Sequence, residues 1–463
     1  MDWNKLLNDS RLRKSTRVKD VRNEFESDLG RIIFSPAIRR MHDKTQVFPL
    51  ETDDNIHTRL THSLEVQSIA YSIGLRLCGN KKFISKFNKR NQSKLLRSIP
   101  NILSCIGLAH DIGNPPFGHY GEHIISNYFI RLFSDKLPIN SKVKFSLSEN
   151  EKKDFTKFNG NAQGFRVLSK LQVKQDIYGL NLTIGVLSAF LKYPQLAEEI
   201  IETKDYRKTL GVYQSEKDFI KQIRRKIGLN STKNPLSFLL ESADSICYHT
   251  MDIEDGFNKG YYKIEEIFEF LKRNTNKDVN KKLNDFNKYF DKKYNVKVNL
   301  ERTKMVDFRL FIINNLLDEV LLNFFNNLDK IEKGEYYGEL IYDNKRGLGK
   351  ALKKFEFEKI FIQREVESME LAGKSVLEGL LDHFVFTFLN HKYKADEFAP
   401  EARRLFNIIS RSMKSIIEIE TNSDEFYLLN DYYKLRLIVD YVSGMTDKFA
   451  LKLYQKLSGI RIS

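Results

Sequence analysis

Apolar residues return at helical spacing along run after run of this chain, and only nine prolines interrupt its 463 residues. Residues at i, i+3, i+4 and i+7 share one face of an α-helix. Val66, Ile69, Ala70, Ile73 and Leu77 form one such stripe, and Leu103, Ile106, Gly107 and His110 form another. The pattern predicts an all-α protein, and no internal repeat suggests a solenoid.

With 41% hydrophobic residues the chain can bury a large core, enough for two or three ordinary domains. No stretch approaches the roughly 20 continuous apolar residues of a membrane span. The start Met1-Asp2-Trp3-Asn4-Lys5 lacks the apolar core of a secretion signal. Cys78, Cys105 and Cys247 lie far apart on apolar helical segments without Cys-x-x-Cys spacing, which reads as buried thiols in a reducing compartment. The expectation is a cytoplasmic protein with no membrane partner. A net charge of +15 favours anionic partners, whether nucleotide, nucleic acid or acidic surface. The Lys-, Asn- and Asp-rich segment 272–304 reads as a solvated helical excursion, with a nucleic-acid patch as the alternative.

Three helical segments carry polar groups that an apolar stripe does not explain. The first begins at Thr61-His62-Ser63-Leu64-Glu65, with His62 at the head of the Val66 stripe, either as a satisfied core histidine or as a ligand. The second ends in His110-Asp111-Ile112-Gly113. An ionised aspartate at the end of a buried stripe is costly without compensation, and a divalent cation held also by neutral imidazole supplies it. Gly113-Asn114-Pro115-Pro116 then stops the helix. Phe117-Gly118-His119-Tyr120-Gly121-Glu122 opens another, with His119 and Glu122 three apart and on one side. That pair reads as a polar helix start or as a proton-transfer pair beside a metal. The third segment, Pro235 to Asp255, has an apolar face of Leu236, Leu239, Leu240, Ala243, Ile246 and Cys247. Its second stripe is Glu241, Asp244, Tyr248, Asp252 and Asp255, which suits either a solvated face or a set of ligand and sugar-binding groups.

These residues, taken in order, resemble the HD-domain superfamily, and within it the bacterial deoxyguanosine triphosphate triphosphohydrolase (dGTPase) family. The resemblance rests on Phe25-Glu26-Ser27-Asp28-Leu29-Gly30-Arg31, Ser35-Pro36-Ala37-Ile38-Arg39-Arg40, Lys44-Thr45-Gln46-Val47-Phe48-Pro49 and Thr58-Arg59-Leu60-Thr61-His62-Ser63. It continues through His110 to His119 and ends in Tyr441-Val442-Ser443-Gly444-Met445-Thr446-Asp447. It covers most of the chain. The implied fold is an HD-type helical core with an additional helical C-terminal region. Residues 54–260 would form the metal-binding catalytic core, and residues 261–463 would support oligomerisation and the substrate pocket within one large helical unit.

The resemblance implies a divalent metal held by His62, His110, Asp111 and Asp244, with Mn or Mg foremost and Ni, Co, Fe or Zn also suited. It implies His119 and Glu122 as the catalytic pair, and Gln46, Tyr248 and Asp252 as readers of the deoxyribose. Arg59, Asn161, Lys192 and Lys208 would contact the triphosphate. The implied reaction releases deoxynucleoside and inorganic triphosphate from dGTP or other dNTPs, in a homo-hexamer, with single-stranded DNA as a candidate effector. Two departures stand out: relatives commonly read Phe-Glu-Gly-Asn-Ala-Gln where this chain has Phe158-Asn159-Gly160-Asn161-Ala162-Gln163, and Asp-Asp-Ile where it has Asp244-Ser245-Ile246. Competing readings are another HD phosphohydrolase, such as a nucleotidase or cyclic-nucleotide phosphodiesterase, and a nucleic-acid-binding regulator that retains the fold.

Overall fold

A computed structural model describes residues 1–14, 20–44, 57–141, 144–172, 176–203, 205–293, 300–360, 365–389, 400–422 and 429–460. The principal helices are α1 (Arg59–Cys78), α2 (Leu95–Ala109), α3 (Gly118–Phe133), α4 (Gly160–Arg166), α5 (Pro235–Asn258), α6 (Leu300–Asn326), α7 (Leu348–Lys359), α8 (Glu365–Leu389), α9 (Asp431–Ser443) and α10 (Asp447–Leu457). Among the described residues there is no strand, only an isolated antiparallel bridge between Arg11 and Thr183, so the all-α expectation holds. No described helix is long and apolar enough to cross a membrane.

Helix boundaries follow local chemistry. Asn430 accepts from the Tyr433 amide at the start of α9, and Thr446 accepts from the Phe449 amide at the start of α10. Such a cap contributes about 1 kcal/mol by satisfying an otherwise orphaned amide. The helix expected from Thr61 begins at Arg59. The one expected around Ile102 starts earlier, at Leu95, and runs through Pro100, a residue that usually breaks a helix. It ends at Ala109, so His110 and Asp111 occupy the turn that follows.

The described residues fall into two compact units. One contains residues 65–107 and 235–364. Its centre is α5, packed on α6 and α7. The predicted face of α5, from Leu236 to Cys247, is buried, together with Phe308, Ile312, Leu316 and Val320 of α6 and Leu352 and Phe355 of α7. In the same unit Gly107 lets α2 approach α1: a Cβ there would lie 3.0 Å from the Gln67 Cα. All three cysteines are buried thiols outside any disulfide, as expected.

The other unit contains residues 2–64, 108–234 and 365–463. Its core is built where α8 packs on α3, α9 and α10. Ile124, Ile125, Tyr128, Phe129 and Leu132 of α3 meet a cluster that includes Leu377, Leu380, Leu381, Phe384 and Phe388 of α8. Burial of five large side chains at about 2 kcal/mol each anchors α3 firmly. Its N-terminal turn, which carries His119 and Glu122, therefore projects from a fixed helix.

Candidate active site

His62 is fully buried in the first turn of α1. Its ring meets that of His110 edge-on, with centroids 5.3 Å apart and planes at 68°. One ring nitrogen of each lies within 4.8 Å of the other. The His110 Nε2 is 3.4 Å from Asp111 Oδ1. The Asp111 carboxylate is held from both sides: Arg59 Nη1 donates to Oδ2 at 2.7 Å, and Asn114 Nδ2 donates to Oδ1 at 2.7 Å. These charge-assisted bonds fix the direction of the carboxylate. The two neighbouring imidazoles suit a divalent cation, and Arg59 and Asn114 hold the Asp111 carboxylate beside His110.

After Asp111 the chain makes a tight reversal. Phe117 adopts φ 63° and Gly118 φ 58°, both left-handed. Glycine is favoured at 118 by its positive φ, and a Cβ there would sit 2.5 Å from Arg59 Nη2, which would have to shift away. The turn delivers His119 to the surface, with its Nδ1 3.5 Å from Glu122 Oε1 and its side chain 81% exposed. Glu122 is itself largely buried and also accepts from the Gly160 amide at 3.0 Å. The hydrogen bond with Glu122 raises the His119 pKa above the ordinary histidine value, more than desolvation lowers it. His119 thus holds its proton to higher pH than a free histidine.

Among the residues expected to meet phosphate, Arg59 is 4% exposed and is engaged by Asp111. Asn161 is partly buried, with its side-chain amide donating to Asn159 at 3.1 Å. Asn159, one of the two departures, caps α4 by accepting from the Asn161 backbone amide. A carboxylate there would fill the same capping role, which explains why the substitution leaves the helix start intact. Lys192 sits over the Tyr193 ring at 5.6 Å, and Lys208 is exposed in the turn Tyr206–Lys208. Gln46 lies outside the described residues. In the same unit a cavity of about 580 Å³ adjoins the Ile112-Gly113 turn, lined by Arg22, Arg31, Arg39 and Arg40 together with Asp440 and with Lys44, whose pKa burial lowers to about 7.

In the other unit, α5 carries Asp244, Tyr248 and Asp252. The first two are partly buried. Asp252 is only 7% exposed, so at this position the acidic stripe is not a solvated face. Burial, with Glu356 and Asp255 nearby, pushes its carboxyl well above the usual range. A buried relay went unnoticed in the sequence. The Tyr342 hydroxyl is hydrogen-bonded with Ser245 and lies 2.9 Å from His249 Nε2, whose Nδ1 is 2.7 Å from Glu356 Oε1. Ser245, the second departure, takes part in this relay. The available signal was His249 itself, a polar ring one helical turn after Ser245 on a helix that is otherwise buried, and such groups need partners.

Residues 59–155 match the HD domain, and residues 384–456 match the phosphohydrolase-associated domain. A deoxyguanosinetriphosphate triphosphohydrolase-like protein of Listeria innocua serovar 6a is 35% identical over 479 aligned residues, spanning 99% of this chain and 100% of the relative. One of the same description from Listeria monocytogenes serovar 1/2a is 34% identical over the same extent. Another from Synechocystis sp. is 32% identical, with 100% of each chain covered.

Proposed function

The chain belongs to the deoxyguanosinetriphosphate triphosphohydrolase-like family of HD-domain phosphohydrolases, and from that membership we propose that it hydrolyses dGTP, with other dNTPs as further candidate substrates, to deoxynucleoside and inorganic triphosphate. The observation that carries this reading is the grouping, in one compact unit, of the His62-His110 pair, the doubly held Asp111 carboxylate and the His119-Glu122 pair. Metal donors beside a proton-transfer pair suit hydrolysis at phosphorus.

His62, His110, Asp111 and Asp244 would hold the metal, with Mn or Mg preferred. Such an ion supplies Lewis-acid polarisation of a phosphoryl oxygen and activation of water. The chain's own residues perform the remaining tasks. Arg59 and Asn114 keep the Asp111 carboxylate aimed. Glu122 orients His119 and favours its protonated form, and His119 donates that proton to the departing sugar oxygen. Asp252, whose carboxyl pKa is pushed upward by burial, would hydrogen-bond a deoxyribose hydroxyl alongside Tyr248 and Gln46. Asn161, Lys192 and Lys208 engage the triphosphate together with Arg59, and the arginines lining the cavity by Gly113 favour anions there.

In this reading residues 54–260 carry the chemistry, while residues 261–463 support the pocket and a hexameric assembly. The protein acts in the cytoplasm, with single-stranded DNA as a candidate effector given its charge of +15. The test is to incubate the purified chain with each of the four dNTPs and their ribonucleotide counterparts, with Mn, Mg, Co, Ni, Fe or Zn, and to identify the products. Inorganic triphosphate from deoxynucleotides is expected. Release of pyrophosphate or orthophosphate as the primary product would instead indicate another HD phosphohydrolase.

A further inference from the structure

The C-terminal run Tyr441 to Asp447 belongs to the sequence pattern, yet the proposed chemistry gives it no task. Its last residue reaches the turn that precedes His119. The Asp447 carboxylate, 2% exposed, accepts from the Phe117 backbone amide at 2.9 Å, across 330 residues of chain. Phe117 is the residue held at φ 63°. A bulky side chain in that region is strained and persists only where the surroundings over-determine it. Two further contacts brace the same turn. Lys44 Nζ donates to the Asn114 carbonyl at 2.5 Å and to the Ser443 carbonyl at 3.3 Å. The Phe117 ring is buried against Gly373, where a Cβ would lie 2.8 Å from ring carbon.

We propose that Asp447 is a positioning residue for the hydrolytic reaction: by accepting from the strained Phe117 amide it sets the left-handed turn that aims His119 and keeps Gly118 against Arg59. The proposal rests on the triphosphohydrolase reading for its kinetic consequence, but its structural consequence is independent of substrate. Asp447 also sits in the first turn of α10, where a carboxylate stabilises the helix N-terminus whatever lies beyond it. A purely structural role must therefore be separated from positioning.

Three variants of the full chain make the separation. Asp447→Ala removes the acceptor, Asp447→Asn retains a carbonyl oxygen in its place, and Thr446→Ala weakens the α10 cap without touching Phe117. With dGTP and Mn as probes, Asp447→Ala should lower kcat by about 10- to 100-fold, the scale of a misplaced catalytic group. Its KM and its Mn affinity measured without nucleotide should change by less than about threefold. Asp447→Asn should recover most of kcat, and Thr446→Ala should retain it. Amide hydrogen exchange in a peptide covering residues 115–121 should speed up at least about tenfold in Asp447→Ala alone. A folded Asp447→Ala chain with unchanged exchange there overturns the proposal. So does loss of turnover in Thr446→Ala equal to that in Asp447→Ala, or failure of Asp447→Asn to recover. If the unaltered chain hydrolyses no dNTP, the reading of function fails, while the exchange measurement still decides the role of Asp447.

Discussion

His119 shows how one neighbour sets the working range of a side chain. Its ring is open to solvent, so water screens much of any charge effect, yet the Glu122 hydrogen bond still raises its pKa. The sign follows directly: a raised pKa keeps the imidazolium present to higher pH, and the acid form is lost as pH rises through that value. Glu122→Gln should therefore move the alkaline limb of the kcat profile to lower pH. An unmoved limb would separate Glu122 from the acid. His119→Ala should cost about 10² to 10⁴ in kcat, the usual range for a general acid, while leaving Mn binding in place. The doublet His110-Asp111 was legible as chemistry because it ends an apolar stripe. Arg59 as the partner of Asp111 was not, since 52 residues separate them and no local periodicity links the two.

At the level of elements, α5 illustrates how a helix is held in rotation as well as in place. Its apolar face buries Leu236, Leu239, Ala243 and Ile246, and such contacts tolerate small slips. The relay from Ser245 through Tyr342 and His249 to Glu356 does not, because each hydrogen bond has one direction. His249→Leu would leave the buried Glu356 carboxylate without its ring partner and the Tyr342 hydroxyl with Ser245 alone. The expected loss is about 3 kcal/mol, read as a lower urea midpoint with the slope unchanged. A midpoint within error of the parent would show that the relay adds nothing to stability. Sequence periodicity identified the face of α5 correctly, but the relay joins residues 245, 249, 342 and 356. Their meeting depends on how α5, α7 and the turn Leu340–Tyr342 pack.

At the scale of the molecule, the core of the unit that includes α3 and α8 encloses charge as well as hydrocarbon. Arg166, fully buried, pairs with Asp440 and Glu216 at 2.7 Å each. Nearby, Asp154 accepts from the Gln214 amide and the Tyr432 hydroxyl, both at 2.7 Å, and burial pushes its pKa up to about 7. In the unfolded chain the same carboxyl ionises near 4. The folded state therefore holds a proton that the unfolded state gives up, and stability from this group declines as pH rises from about 4 toward 7. Asp154→Asn should flatten that decline, so that its urea midpoint relative to the parent improves between pH 5 and pH 8. A constant difference across that range would mean that Asp154 is ionised in the folded protein.

Helical class and the buried faces of α1, α2 and α5 follow from residue type and spacing, because a helix repeats every 3.6 residues and its faces can be read locally, whereas the roles expected of His62, His119 and Glu122 come from the family pattern around them. What only tertiary structure decided is which distant groups meet: Arg59 with Asp111, Glu122 with the Gly160 amide, His249 with Glu356, and Asp447 with the strained Phe117. Hydrogen bonds act over about 3 Å, and nothing in a one-dimensional pattern brings residues 117 and 447 within that distance. Packing of the apolar faces does so, and the polar contacts form where that packing leaves donors opposite acceptors.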